Sequence, residues 1–335
     1  MSLGLKVSAL EGAWNRRETA GLLGDPSEQA LRLFYGPGEV IPSDPLSCWA
    51  IDGYGPFLWV TEWEGKAQPA SLDELKAATE QFYSFRGYQG AVVLRRPKQG
   101  VPEKPQMLWG QEPAPHYLVT ERCGSIAMRF EIRLLEGRHP GLFLDHRPLR
   151  EWLVRSSHIS GKSVLNTFAY TGSLSVASWK GGASMITTLD LSKPTVQWAE
   201  RNARLNDIPP ESARFISGDF FEQVPRMGRK HELFDVVISD PPSFSRGNKR
   251  TFSTQKDLVD LHESIFSVLR PGGILVTSIN SANVPWEKYE REVQEAARNC
   301  RRRLKLLRRI EQPDSFPSRP ENPKSLYLKG FIFET

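Results

Sequence analysis

Five short apolar runs between residues 163 and 280 each lead into a few polar or turn-forming residues, and these hold the side chains able to do chemistry. After the first run come Phe168-Ala169-Tyr170-Thr171-Gly172-Ser173. A glycine there lets a ligand approach the backbone, and a helix starting at Ser173 would present free N–H groups. The same residues also suit a plain strand-to-helix turn, and they lack the G-x-G-x-x-G spacing of a dinucleotide site. The second run ends in Asp190-Leu191-Ser192. A carboxylate in that place accepts hydrogen bonds from two ribose hydroxyls, unless it only shapes a turn. Ser192 is a helix cap with Pro194 in the first turn. The third run is followed by Gly218-Asp219-Phe220. Here the acid can accept the exocyclic amine of an adenine and the ring can pack on the base, or the acid simply sits in a surface loop. The fourth ends in Asp240-Pro241-Pro242-Ser243-Phe244. Two prolines make a stiff loop that holds side chains toward a flat substrate at low entropic cost. Leu269-Arg270-Pro271-Gly272-Gly273 then turns into the fifth run, which leads to Asn280.

Positioning these residues requires strands over 163–167, 185–190, 213–218, 234–239 and 273–278, with helices beginning at Ser173, Pro194, Ser253 and Trp286 between them. That alternation predicts an α/β fold, a Rossmann-like and mostly parallel sheet with helices on both faces. Ligands bind such sheets beyond the carboxyl ends of the strands, where the five clusters fall. Upstream, strand-like stretches at 47–51, 57–62, 90–94, 117–121 and 126–134 are separated by turn signals such as Asp52-Gly53-Tyr54-Gly55-Pro56. One helix, 71–82, has Ser71 as its cap, and 97–115 reads as a loop. The expected organisation is an N-terminal arm over 1–25, a small α+β domain over 26–145 and the Rossmann-like domain over 146–335.

Composition narrows the class. The chain has 335 residues, 39% hydrophobic and 25% charged, which is ordinary for globular proteins. No apolar run reaches the ~20 residues of a membrane span, and no signal peptide is evident, so a cytoplasmic location without membrane association is expected. Cys48, Cys123 and Cys300 are scattered and lack metal-ligand spacing, so reduced thiols and no metal are expected. A net charge of +5 permits an anionic partner. The run Arg298–Arg309 has seven basic residues and no acid. It reads either as a phosphate-binding stripe or as a solvated helix end leading into an edge strand.

The chain resembles the class I S-adenosylmethionine (SAM)-dependent ribosomal large-subunit RNA methyltransferases of the I/K type. The matching stretches are residues 141–147 (Gly-Leu-Phe-Leu-Asp-His-Arg), 165–173, Asp190-Leu191-Ser192, Trp198-Ala199 with Asn202 and Asn206, Asp240-Pro241-Pro242-Ser243-Phe244, and Tyr327-Leu328-Lys329-Gly330. The resemblance implies that Asp145 and Arg147 approach the amino-acid end of SAM. It places Phe168 and Tyr170 to Ser173 around methionine and ribose, Asp190, Leu191, Ser192 and Asn206 at the ribose side, and Asp219 with Phe220 at the adenine. Asp240, Pro241, Pro242 and Asn280 would face methyl transfer. It implies an RNA partner, ribosomal RNA above all, and leaves open a monomer or a homodimer. Two departures stand out. The residues ahead of the α+β unit are too few for the PUA RNA-binding domain of many members. Members that make 5-methylcytosine place a nucleophilic cysteine just after the fifth strand, where this chain has Asn280. Transfer to a base nitrogen, guanine favoured, without a cysteine nucleophile is therefore expected. The rival expectations are a protein side chain or a small molecule as acceptor, or SAM and RNA binding without turnover.

Overall fold

The computed structural model describes residues 3–64, 71–97, 103–246 and 251–335. The chain forms two compact units, Met1–Asp145 with Pro313–Leu326 and His146–Gln312 with Tyr327–Thr335.

In the first unit, helix α1 (Leu3–Thr19) precedes β1 (Ala30–Tyr35), the single turn α2 (Gly36–Glu39), β2 (Trp49–Tyr54), β3 (Phe57–Trp63), α3 (Leu72–Tyr83), β4 (Gly90–Arg96) and β5 (Gln106–Gly110). The strands form one sheet in sequence order. Only β3 and β4 run parallel, and α3 makes the crossover that a parallel pair requires. Ser71 starts α3 with a reciprocal capping box to Glu74. A separate hairpin, β6 (Tyr117–Cys123) and β7 (Ile126–Ile132), follows. Within the expected N-terminal arm, the described residues are not extended. They carry α1, whose Leu10 and Ala13 are fully buried in this unit's core. Arg17 of α1 also ties down residues 313–326 through a 2.7 Å bond to the Ser315 carbonyl. The expected 97–115 loop contains β5, while its residues 98–102 lie outside the described residues. The expected turn at 52–56 shortens to Gly55-Pro56, because Asp52 stays in β2 and pairs with Arg32 across the ladder at 2.6 Å.

The second unit opens with α4 (Arg147–Arg155). It continues through β8 (Ser163–Thr167), α5 (Ser173–Lys180), β9 (Met185–Asp190), α6 (Lys193–Leu205), β10 (Ala213–Ser217), α7 (Phe220–Arg229) and β11 (Phe234–Ser239). A small hairpin, β12 (Phe244–Arg246) with β13 (Thr251–Ser253), precedes α8 (Leu258–Phe266), β14 (Leu269–Asn280), α9 (Trp286–Asn299), β15 (Lys305–Glu311) and β16 (Leu328–Glu334). The seven-stranded sheet has the order β10-β9-β8-β11-β14-β16-β15. The first five strands are parallel, and β16 enters antiparallel between β14 and β15. The chain reverses its direction of winding between β8 and β11, which makes their carboxyl ends the ligand crevice. Val236, Val237 and Ile238 of β11 are fully buried, as a strand covered on both faces must be. The helix expected from Ser253 starts at Leu258, because 251–253 pair as β13. The expected turn at 269–273 is instead the irregular start of β14, with Gly272 at φ +72° and a register shift opposite Phe234 to Val236. Among the described residues no helix is long and apolar enough to cross a membrane.

Candidate active site

The carboxyl end of β8 leads into a tightly wound loop. Phe168 and Tyr170 both take left-handed conformations, φ +53° and +50°, followed by Gly172 at φ +77°. Non-glycine residues rarely adopt this geometry without an enforcing surround. Here the surround is visible: Ala169 N–H donates to the Leu189 carbonyl at 3.0 Å, and Tyr170 N–H donates to Asp190 Oδ2 at 2.9 Å. Asn202 of α6 donates to the Thr171 carbonyl at 2.9 Å, and Asn206 donates to the Asn202 carbonyl at 2.8 Å. Gly172 passes so close to α6 that a Cβ there would lie 3.0 Å from that of Ala199. Ser173 begins α5 directly behind it.

Asp190 takes a second backbone bond on its other oxygen, from Ser192 N–H at 3.0 Å. Burial pushes its carboxyl above the ordinary value, against the lowering effect of the backbone donors. With the Leu191 N–H as a third backbone donor, the about four acceptor sites of the two oxygens are not all taken, and capacity remains for a ligand hydroxyl. Leu191 beside it is 48% exposed, an uncovered apolar face at the same rim. Ser192 caps α6 through Thr195 N–H. Asp219 caps α7, accepting from Phe221 N–H at 2.8 Å, and the preceding Gly218 N–H donates to the Asp190 carbonyl. Phe220 is only 4% exposed and stacks on Phe168 at 4.8 Å between ring centroids. Phe168 is the half-buried member of that pair.

Asp240, at the end of β11, is held by side chains. Its Oδ1 accepts from Ser278 Oγ at 2.7 Å, and its Oδ2 lies 3.0 Å from His146 Nε2. Pro241 is buried, whereas Pro242 is exposed. The loop is clamped further on. Ser243 Oγ donates to the Asn280 carbonyl, and the Ser243 carbonyl accepts from Thr254 N–H at 3.2 Å. Phe244 is 56% exposed, and the Asn280 side chain also faces solvent. Behind β14, Thr277 Oγ1 bridges His262 Nε2 at 2.9 Å and Tyr289 OH at 2.6 Å. Complete burial pushes the His262 imidazole down to about 4. Lys329, from the matched 327–330 stretch, is 4% exposed and donates to the Ser281 carbonyl at 2.9 Å.

The structure thus brings residues 168–173, 190–192, 219 and 240 to the carboxyl ends of adjacent strands. Asn206 stands behind the loop, at 1% exposure, and acts on it through Asn202. Arg147 opens α4 and pairs with Glu151 at 3.1 Å. Asp145 is the last residue of the first unit before the crossing, 5% exposed. Sequence reasoning missed His146 and Ser278 as partners of Asp240. The signal for His146 was its place between the matched Asp145 and Arg147; Ser278 carried none. Among the described residues no cluster of acids, histidines and cysteines could hold a metal.

A parallel sheet with a left-handed glycine loop after its first strand and acids at the ends of the next three defines a nucleoside-binding α/β enzyme. Residues 31–333 match the S-adenosylmethionine-dependent methyltransferase family. The chain is 30% identical over 289 residues to ribosomal RNA large subunit methyltransferase I of Photobacterium profundum, covering 86% of this chain and 71% of that relative. Its fold is similar to that of a methyltransferase solved in complex with SAH, at a TM-score of 0.85 and 26% identity over 100% of this chain and 82% of the other. A Streptococcus mutans protein described as a SAM-dependent methyltransferase gives 0.83 and 25% over the same shares. The chain belongs to the SAM-dependent methyltransferase family, and SAM is its cofactor. The site suits that group: Asp190 is a half-buried acceptor with capacity left for ribose hydroxyls, and Ser239 Oγ, buried at the crevice, has no partner among the described residues.

Proposed function

We propose that the protein methylates ribosomal RNA at a base nitrogen, guanine favoured, by direct transfer without a cysteine nucleophile. The RNA part leans on relatives named as ribosomal RNA large subunit methyltransferases. The observation that carries the nitrogen part is Asp240. Protein donors sit on one of its oxygens and beside the other, so it is held as an acceptor. A fixed acceptor suits a base edge that offers N–H groups, and guanine presents an amino donor. When bound, SAM supplies an electrophilic methyl group on its sulfonium sulfur. Asp240 then orients the acceptor nitrogen, Pro241 and Pro242 keep the loop from yielding, and Asn280 offers a donor and an acceptor to the base edge. Phe244 presents an exposed ring to a flat base. On the cofactor side, residues 168 and 170–173 enclose the methionine and ribose with Arg147 nearby. Asp190, Leu191 and Ser192 take the ribose, and Asp219 takes the adenine amine with the Phe168–Phe220 stack beneath it. The role of Asp145 stays with the resemblance alone.

The cysteines support direct transfer. Cys48 and Cys123 are buried in the first unit, and burial with Glu263 nearby raises the thiol of Cys300, which disfavours the thiolate a nucleophile needs. Tritiated SAM offered with ribosomal RNA, total protein and a small-molecule extract tests the reading. Label in RNA, recovered as an N-methylated guanosine after digestion, is expected. Label in protein or small molecules would replace the acceptor. A covalent complex with 5-fluorocytosine RNA, lost when one cysteine becomes serine, would replace the mechanism.

A further inference from the structure

His146 itself has no role assigned above beyond its contact with Asp240. His146 is 5% exposed and stands at the start of α4, and its Nε2 faces Asp240 Oδ2 at 3.0 Å. The imidazole nitrogen and the carboxylate oxygen are therefore in direct polar contact, within ion-pair distance. Ser278 Oγ, at the end of β14, donates to the other oxygen at 2.7 Å. The two contacts come from separate places, the residue that precedes α4 and strand β14, and grip a side chain that directly follows β11. A carboxylate on one rotatable bond pair turns freely unless both oxygens are pinned. Pinned, it keeps its remaining lone pairs aimed in one direction, and Asp240, at 23% side-chain exposure, retains an open side for a substrate.

We propose that His146 is a positioning residue for the acceptor base: its imidazole, in polar contact with Oδ2, together with the Ser278 hydroxyl on Oδ1, fixes Asp240 so that the carboxylate receives N–H donors of the base in the orientation needed for methyl transfer. His146 touches Asp240 and acts through it. The proposal rests on the reading of Asp240 as the acceptor-side residue, but not on which atom of the base is methylated. A fixed acceptor also selects among bases. Loss of its orientation should slow turnover while leaving the cofactor side, formed by residues 168–219, unchanged.

The test compares His146→Ala and His146→Gln in the full chain. Glutamine can place an N–H near the position of Nε2, whereas alanine cannot. Methyl incorporation into ribosomal RNA should fall in kcat by about 10- to 100-fold for His146→Ala, the scale of one lost hydrogen bond to a charged group, and recover in large part for His146→Gln. Calorimetric affinity for SAM should stay within about twofold in both. Without substrate or SAM, imidazole 15N spectra of the wild type should show one N–H signal, absent from His146→Gln, that shifts on Asp240→Asn. Equal loss of kcat in both variants, an unchanged kcat in His146→Ala, or no shifted imidazole signal would overturn the role. If His146→Ala fails to fold by thermal melting, the glutamine variant and the spectra still decide it. A 5-methylcytidine product with the alanine–glutamine difference intact would refute the nitrogen reading and leave this one standing.

Discussion

The two sides of the crevice, assigned to cofactor and acceptor under the proposed function, are held by different means. On the cofactor side, Asp190 is fixed by the backbone N–H groups of Tyr170 and Ser192, and Asp219 by that of Phe221. On the acceptor side, Asp240 is fixed by the side chains of Ser278 and His146. Backbone donors come with the fold and do not depend on which residues supply them, whereas side-chain donors can be exchanged one at a time. On that proposed assignment the cofactor side is fixed by the loop geometry, and the acceptor side is open to retuning for a different base within the same sheet.

The comparison is broken most severely at Asp240. Asp240→Ala should lower kcat by about 100- to 1,000-fold, the range seen when a preorganised polar group is removed, while calorimetry shows nearly unchanged SAM affinity. Equal damage to both would erase the division between the sides.

A second effect concerns acid. His262 backs the acceptor side, buried and neutral, with its pKa pushed down to about 4 from an ordinary 6.5. The unfolded chain then binds more protons between those values, so stability is full above about pH 6.5 and falls as pH drops toward 4. The loss is on the order of 3 kcal/mol. His262→Gln should flatten the decline of Tm with acid over that window, and an equally steep decline would assign the acid lability elsewhere.

On the cofactor side, Asp190→Ala should weaken SAM binding by about 1.5–3 kcal/mol, the scale of hydrogen bonds to a charged group. Because burial raises this carboxyl, its protonated form persists to a higher pH than an ordinary aspartate allows. SAM affinity should accordingly decline with acid from above the usual aspartate range, and Asp190→Asn should remove that decline in a calorimetric pH series.

The smallest effect lies outside both sides, in the basic run. Arg302 donates to the Leu269 carbonyl at 2.8 Å and Arg309 pairs with Glu290, so both serve the fold. Arg301, Arg303 and Arg308 are exposed, with no ion-pair partner among the described residues. Replacing these three by alanine should reduce the salt dependence of RNA binding by a slope of up to about 3, and an unchanged slope in filter binding would leave the run as a solvated edge.

The sequence made the sheet legible where burial writes a pattern. Residues 236–238 announce a strand covered on both faces, and Asp190 and Asp240 fall at strand ends because the apolar runs stop there. It concealed β1, where Arg32 interrupts the apolar run and pairs with Asp52 on the neighbouring strand. It concealed α7 as well, which carries Pro225 within it. The grip on Asp240 was not legible, since Ser278 lies 38 residues away and meets it only through the β11–β14 pairing. Phe220 looked like a ring free for a base; the stacking that covers it comes from Phe168, 52 residues earlier in the chain.

The insertion of β16 between β14 and β15 also sets an order of events during synthesis. Residues 313–326 complete the first unit, and residues 328–334 close the gap in the second sheet, so the nascent chain must emerge as far as these residues before either unit has its final contacts. Until then β14 and β15 each present an unpaired strand edge, the kind of surface on which incomplete chains associate with one another. Translation at ~5–20 residues per second gives that exposure a duration of seconds, during which a growing chain depends on chaperones or on its own solubility.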